Sequence, residues 1–95
     1  MGYFYSEGLT RLGRIDTDGY VYEENGRRIA HIDFNSGYIY AESNRRIGRF
    51  DKDGYIYDEG GRRHGHIEKS GYVYDEGWNR LGKLDESVAE RFLGK

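Results

Sequence analysis

Hydrophobic and polar positions alternate with a period of two along most of this chain, which is the pattern of half-buried β-strands. The clearest segments are five copies of a Tyr-apolar-Tyr triplet, each directly after a glycine: GYFYS, GYVYE, GYIYA, GYIYD and GYVYD. The glycines stand at Gly2, Gly19, Gly37, Gly54 and Gly71, so the steps are 17, 18, 17 and 17 residues. This spacing indicates an internal repeat of β-hairpins.

Two kinds of turn separate the strands. Thr17-Asp18-Gly19 has the composition of a three-residue loop whose last residue lies in the left-handed region, which glycine enters without steric cost. Asn25-Gly26 is typical of a two-residue turn, with Gly60-Gly61 as a later copy. We therefore expect about ten strands, near residues 3–6, 11–16, 20–24, 27–33, 38–42, 45–51, 55–59, 62–68, 72–76 and 79–84.

These turns fix an expected register between the strands. Ile15 faces Val21, and Tyr22 lies opposite Arg14 on one side and Ile29 on the other. The two-residue turn also predicts cross-strand pairs of opposite charge, each contributing roughly 0.2 to 1 kcal/mol. The expected pairs are Glu24 with Arg27, Glu42 with Arg45 and Glu59 with Arg62.

Alternation along each strand separates two faces of the sheet. One face is aliphatic and thin, with branched residues such as Val21 and Ile32 beside small ones such as Gly13, under Phe4. The other face carries the tyrosines with arginines. Arginine stacked on an exposed tyrosine ring contributes about 0.5 to 1 kcal/mol.

The predicted fold class is all-β: an antiparallel up-and-down meander of five 17-residue hairpin repeats. The strands form a curled single sheet, a pinwheel or a barrel-like sheet, and recurring glycine on the aliphatic face favours tight curvature or closure. After Asp85 the segment ESVAERFLGK predicts a short helix, with Val88, Phe92 and Leu93 on one face and Gly94 as a stop signal. We assign 1–85 to the hairpin repeats and 86–95 to a helix that packs on them and covers apolar surface or a sheet edge.

Composition limits the classes of function. The net charge is −2 with both signs interspersed, so neither a nucleic-acid partner nor a membrane partner is expected. Cysteine is absent, so thiol chemistry is excluded and the sequence does not indicate a compartment. The N-terminal residues MGYFYSEG already belong to the first repeat, so we expect no export signal.

The unit GYIYDEGGRRHGHIEKSGYVYDEG resembles the Tyr-rich hairpin repeats of a bacterial family of single-layer β-sheet proteins. It is also similar to bacterial four-fold β-flower repeats, in which an IYD-type strand alternates with a GRRIG-type strand. The resemblance covers residues 2 to about 85. The single-layer resemblance implies a secreted protein whose exposed tyrosines bind complex carbohydrate.

The tyrosine face is the candidate ligand site, because aromatic faces stack on sugar C–H groups and phenol hydroxyls form hydrogen bonds. Its structural alternative is that the rings pack against one another and against arginine, since aromatic residues favour strands in any case. The predicted ligand-binding residues are Tyr20, Tyr22, Tyr38, Tyr40, Tyr55, Tyr57, Tyr72, Tyr74, Arg14 and Arg49.

Other constellations have a simpler explanation as members of the repeat. His64, His66 and Glu68 alternate on one face like metal ligands, but the two histidines occupy repeat positions filled elsewhere by isoleucine and arginine. Asp16-Thr17-Asp18 and Asp51-Lys52-Asp53 lack the spacing of a calcium loop and fit turn chemistry instead. We therefore expect no metal, no cofactor and no catalytic residue.

The sequence favours a non-enzymatic binding or assembly module that presents a Tyr/Arg face, with carbohydrate as one candidate ligand. The alternative is a structural or protein-protein interaction repeat in which the tyrosines act mainly in packing. A carbohydrate, a protein or a second copy of the chain are the candidate partners.

Overall fold

Each Tyr-apolar-Tyr triplet lies within a strand, as the period of two predicts. The structure is a computed structural model that describes residues 2–93, and within them ten strands precede one helix. The elements are β1 Gly2–Ser6, β2 Arg11–Ile15, β3 Tyr20–Glu23, β4 Arg28–Asp33, β5 Tyr38–Ala41, β6 Arg46–Phe50, β7 Tyr55–Asp58, β8 Arg63–Ile67, β9 Tyr72–Asp75, β10 Arg80–Leu84 and α1 Glu86–Phe92.

The meander closes into a barrel. Consecutive strands pair antiparallel, and β1 pairs with β10 through Phe4 opposite Leu84 and Tyr5 opposite Lys83. The predicted all-β repeat fold is therefore confirmed in its closed form, in which each of the ten strands within residues 2–93 pairs on both sides. Small residues permit the tight curvature, because a Cβ on Gly82 would collide with the backbone carbonyl oxygen of Tyr5 on the neighbouring strand.

The first kind of turn has the predicted three-residue loop. Gly19 has φ of 92° and donates its N–H to the carbonyl oxygen of Asp16 over 3.0 Å. The side-chain oxygen Oδ1 of Asp16 accepts from the N–H groups of Asp18 and Tyr20, both at 3.0 Å. Asp51 makes the same two contacts in its own turn, so both carboxylates that resemble calcium-loop residues are engaged by turn N–H groups.

The second kind of turn differs from the prediction. Glu23 donates its N–H to the carbonyl oxygen of Arg27 over 2.8 Å, so the loop has three residues, ending at Gly26 with φ of 93°. Consequently Tyr22 lies opposite Arg28, and Ile29 is the extra residue of a β-bulge before Ala30 pairs with Val21. The longer loop and the bulge offset each other, which is why the register beyond the bulge is as predicted.

The same shift occurs in the other hairpins, so the expected pairs Glu24–Arg27, Glu42–Arg45 and Glu59–Arg62 are wrong. The extra, bulged residues are Leu12, Ile29, Ile47, His64 and Leu81. A bulge increases local twist and bends the strand. Five bulges at equivalent positions therefore supply much of the curvature that closes the barrel.

The two predicted faces become the inside and the outside of the barrel. The buried core contains the branched and aromatic residues of the aliphatic face together with residues of α1. Phe4 lies opposite Gly13, as predicted, and its ring occupies the space of the missing side chain. The core residues are Ile15, Val21, Ile32, Phe34, Phe50, Ile67, Leu84, Val88, Ala89 and Phe92.

The predicted C-terminal helix covers apolar surface at the turns that follow β2, β4 and β6. The Phe92 ring packs edge-on against Phe34 and Phe50, with centroids 5.1 and 4.6 Å away. Arg91 donates to the carbonyl oxygens of Asp16 and Thr17 at 3.0 and 2.7 Å. Phe34, in the turn with the 18-residue step, is thus a core residue that receives the helix. The predicted stop signal at Gly94 lies outside the described residues.

Candidate functional site

The predicted tyrosines lie on the outer surface of the barrel, on alternate positions of the odd-numbered strands. All eight are partly buried. Arg14 lies opposite Tyr22 and Arg49 opposite Tyr57, as the sequence register predicts. We call the ten tyrosines and the arginines that contact them the Tyr/Arg belt.

Arginine covers most of these rings. The Cζ atoms of Arg14 and Arg49 lie 4.3 Å from the ring centroids of Tyr22 and Tyr57. In every repeat, an arginine at the start of the second strand lies over the first tyrosine of its own hairpin, which the sequence register did not predict. These distances are 4.6 Å for Arg11 over Tyr3, 4.7 Å for Arg28 over Tyr20, 4.4 Å for Arg46 over Tyr38, 4.8 Å for Arg63 over Tyr55 and 4.8 Å for Arg80 over Tyr72.

Some of the same arginines also link neighbouring hairpins through ion pairs. Arg46 hydrogen-bonds Glu59 of the next hairpin, and this contact raises the pKa of the Arg46 guanidinium above its ordinary value. Such exposed pairs stabilise little individually, but five of them complete a circuit of the barrel. The N–O distances are 2.9 Å for Arg11–Glu24, 3.8 Å for Arg27–Glu42, 3.1 Å for Arg46–Glu59, 3.7 Å for Arg62–Glu76 and 3.0 Å for Arg80–Glu7.

The alternating residues His64, His66 and Glu68 have separate partners. His64 Nε2 contacts Asp58 Oδ2 at 2.9 Å, and His66 Nε2 contacts the carbonyl oxygen of Asp53 at 3.2 Å. Hydrogen bonds from the Arg62 backbone N–H and from His64 hold the pKa of Asp58 below its ordinary value. Within residues 2–93, no three His, Asp or Glu side chains are grouped so that they could hold a metal ion.

One part of the belt departs from the repeat. Trp78 packs edge-on to His66 with ring centroids 5.2 Å apart, and it lies 6.0 Å from Tyr74. The other side of His66 contacts Tyr55, with centroids 4.6 Å apart. Trp78 is 53% exposed, and sequence reasoning did not include it in the site. The sequence feature that could have indicated this residue is that Trp78 is the only tryptophan of the chain.

The surface depressions include a mainly apolar one lined by Phe4, Val73 and Leu81 and a polar one between the first two hairpins. The polar depression borders Arg14, one of the two predicted arginines. It has a volume of about 350 Å³ and is lined by Tyr3, Arg11, Arg14 and Glu24 among others. The arginines that line it are already paired with tyrosine and glutamate. The belt is therefore a surface of mutually engaged side chains.

No protein-family model, curated protein or solved structure matches this chain. Residues 2–93 contain no helix with the length and apolar character required to cross a membrane. The repeated hairpin barrel is compatible with a structural or interaction module.

Proposed function

We propose that this chain is a non-enzymatic interaction module in which the Tyr/Arg belt acts mainly in packing. The observation that carries the proposal is that seven of the ten tyrosine rings have an arginine over them. A ring face covered by guanidinium is not free to stack on a ligand. The belt instead joins strands that are adjacent around the barrel.

The surroundings of the titratable groups also favour a non-enzymatic role. General acid-base catalysis needs groups that share a water-excluding site. Here Asp16 and Asp51 accept N–H groups of their own turns, and Asp75 does so with Gly77 and Asn79. These carboxylates serve local structure at separate turns.

A double-mutant cycle tests the packing role. Arg14→Met removes the guanidinium and Tyr22→Leu removes the ring of one covered pair. We expect a coupling free energy of about 0.5 to 1 kcal/mol in urea unfolding, because an exposed cation-π contact has that magnitude.

The matched control is Lys83→Met with Tyr5→Leu. Lys83 lies opposite Tyr5 in the equivalent register, but its ammonium is 5.5 Å from the Tyr72 ring instead. The effects of these two substitutions on the unfolding free energy should be additive. Equal coupling in both cycles, or none at Arg14 and Tyr22, would reject the packing role of the belt.

Carbohydrate binding by the belt is the second candidate. It is favoured by Tyr5, Tyr40 and Tyr74, whose rings carry no cation within the described part of the chain. On one neighbouring strand these rings lie opposite lysine or histidine, where Tyr22 and Tyr57 lie opposite arginine. Glycan binding that is lost in a folded Tyr5→Leu, Tyr40→Leu variant would support the uncovered rings of the belt as the binding surface, and unchanged binding would reject it.

A further inference from the structure

Trp78 occupies a backbone position that disfavours a large side chain. It has φ of 67°, in the left-handed region, where Gly26 and Gly61 stand in the equivalent loops. A residue with a Cβ is sterically disfavoured there, and the indole remains 53% exposed. Burial does not account for a tryptophan in this loop, and residues held in disfavoured conformations are frequent at binding sites.

Two further departures from the repeat meet at the same place. His66 takes the position held by Arg14 and Arg49 in other repeats, and so Tyr74 opposite it has no guanidinium over its ring among the described residues. His66 is held on one side by Tyr55 and by the carbonyl oxygen of Asp53. The result is an aromatic surface made of His66, Tyr74 and Trp78, because Arg80, which lies opposite Tyr74 on the other side, is placed over the Tyr72 ring instead.

We propose that His66, Tyr74 and Trp78 form a binding site for the C–H face of a neutral sugar ring. Exposed indole and phenol rings without a covering cation are suited to stacking on such a face. The proposal rests on the proposed interaction role and names one ligand class and its place on the barrel.

The charges of the loop favour a neutral over an acidic sugar. Asp75 directly precedes the loop that carries Trp78, and Glu76 is the first residue of that loop. Hydrogen bonding from the Asn79 backbone N–H lowers the pKa of Asp75, so this carboxylate is ionised at neutral pH. Asp75 is engaged by Gly77 and Asn79 and Glu76 is paired with Arg62. The charge of Asp75 therefore acts on a ligand by repelling a sugar carboxylate or sulfate.

The chain contains an internal control for this site. His31 and Tyr40 repeat the relation of His66 and Tyr74, and His31 Nε2 contacts the Asp18 carbonyl oxygen at the same 3.2 Å. The equivalent loop position is Asn44, with φ of 72°, beside His31. This second location therefore has the same frame but lacks the indole and the Asp75 carboxylate, whose place is taken by Ala41.

The experiment is calorimetric titration of the full chain with neutral gluco-, xylo- and chito-hexaoses and with an acidic hexuronate oligomer. Fluorescence of the single tryptophan reports in parallel on the site itself. We expect one neutral series to bind with a shift of the indole emission. Trp78→Gly should weaken binding about tenfold or more while the fold is kept, because glycine is the residue of two equivalent loops. Leu9→Gly, a change at the other left-handed position with a large side chain, should leave affinity unchanged.

Asn44→Trp supplies the complementary test, since it should add a second site and raise the stoichiometry from about one to about two. Unchanged affinity in Trp78→Gly, binding of the acidic oligomer alone, or no binding to any hexaose would overturn the site. None of these outcomes bears on the Arg14/Tyr22 cycle, so failure of the site and failure of the packing role are distinguishable.

Discussion

Replacing Phe92 by alanine should remove the main contact between the helix and the barrel. The Phe92 side chain is 4% exposed and packs edge-on against Phe34 and Phe50. Phe→Ala substitutions at buried sites cost about 3 to 5 kcal/mol. A domain of this length has a total stability of about 5 to 14 kcal/mol at roughly 0.05 to 0.15 kcal/mol per residue. The substitution should therefore remove at least a fifth of the free energy of unfolding, and more than half of it in the less stable part of this range.

The assay is urea unfolding followed by far-UV circular dichroism, with Glu90→Ala as the matched control. Glu90 lies on the exposed side of the same helix, so its replacement should change the unfolding free energy by no more than about 0.5 kcal/mol. Alanine has the highest helix propensity, so a loss in Phe92→Ala cannot be attributed to the intrinsic stability of the helix. A loss below about 1 kcal/mol for Phe92→Ala would refute the assignment of the helix to the core.

Two further predictions concern close packing and acid. Gly48→Ala should destabilise the barrel by more than 1 kcal/mol in the same assay, because the added Cβ would collide with the carbonyl oxygen of Tyr57. The control is Ala30→Gly at the equivalent position of another repeat, which should lower the unfolding free energy less. Stability should fall as the pH drops below the ordinary carboxylate value of 3.8, since hydrogen bonds lower the folded-state pKa values of Asp33, Asp58 and Asp75. A carboxylate whose pKa is lower in the folded than in the unfolded state stabilises the fold at pH values above its unfolded pKa. That stabilisation is lost as the pH falls through the folded-state pKa. Chemical-shift titration should find that Asp33, Asp58 and Asp75 titrate below their ordinary value. A steeper loss of stability in acid for their asparagine variants than for the parent chain would contradict the reasoning.

The sequence was informative where a feature depends on near neighbours. The loop ending at Gly19 follows from its turn residues, and the outward tyrosines follow from strict alternation. The loop ending at Gly26 was predicted one residue too short. A two-residue turn and a three-residue loop followed by a bulge would each pair Val21 with Ala30. Counting residues does not distinguish these two arrangements, and only the backbone hydrogen bonds do.

Features that depend on distant parts of the chain were less accessible. The barrel closes only if the curvature accumulated over all ten strands brings β1 next to β10. The sequence of a single repeat does not determine this total curvature. Phe34 stands in a loop without alternating neighbours, so its burial against α1 was not predicted. The arginines over the first tyrosine of each hairpin were missed because the bulge moves them by one position. The resemblance to single-layer and β-flower repeats stays a prediction.

Closure is the claim on which the belt, the circuit of ion pairs and the helix position all depend, and backbone nuclear Overhauser effects test it directly. A uniformly labelled sample should give cross-peaks between β1 and β10, in the register that pairs Phe4 with Leu84 and Ser6 with Gly82. Their presence together with the peaks between consecutive strands is the result that the closed barrel predicts. Consecutive-strand peaks without any between β1 and β10 would contradict it and indicate an open sheet.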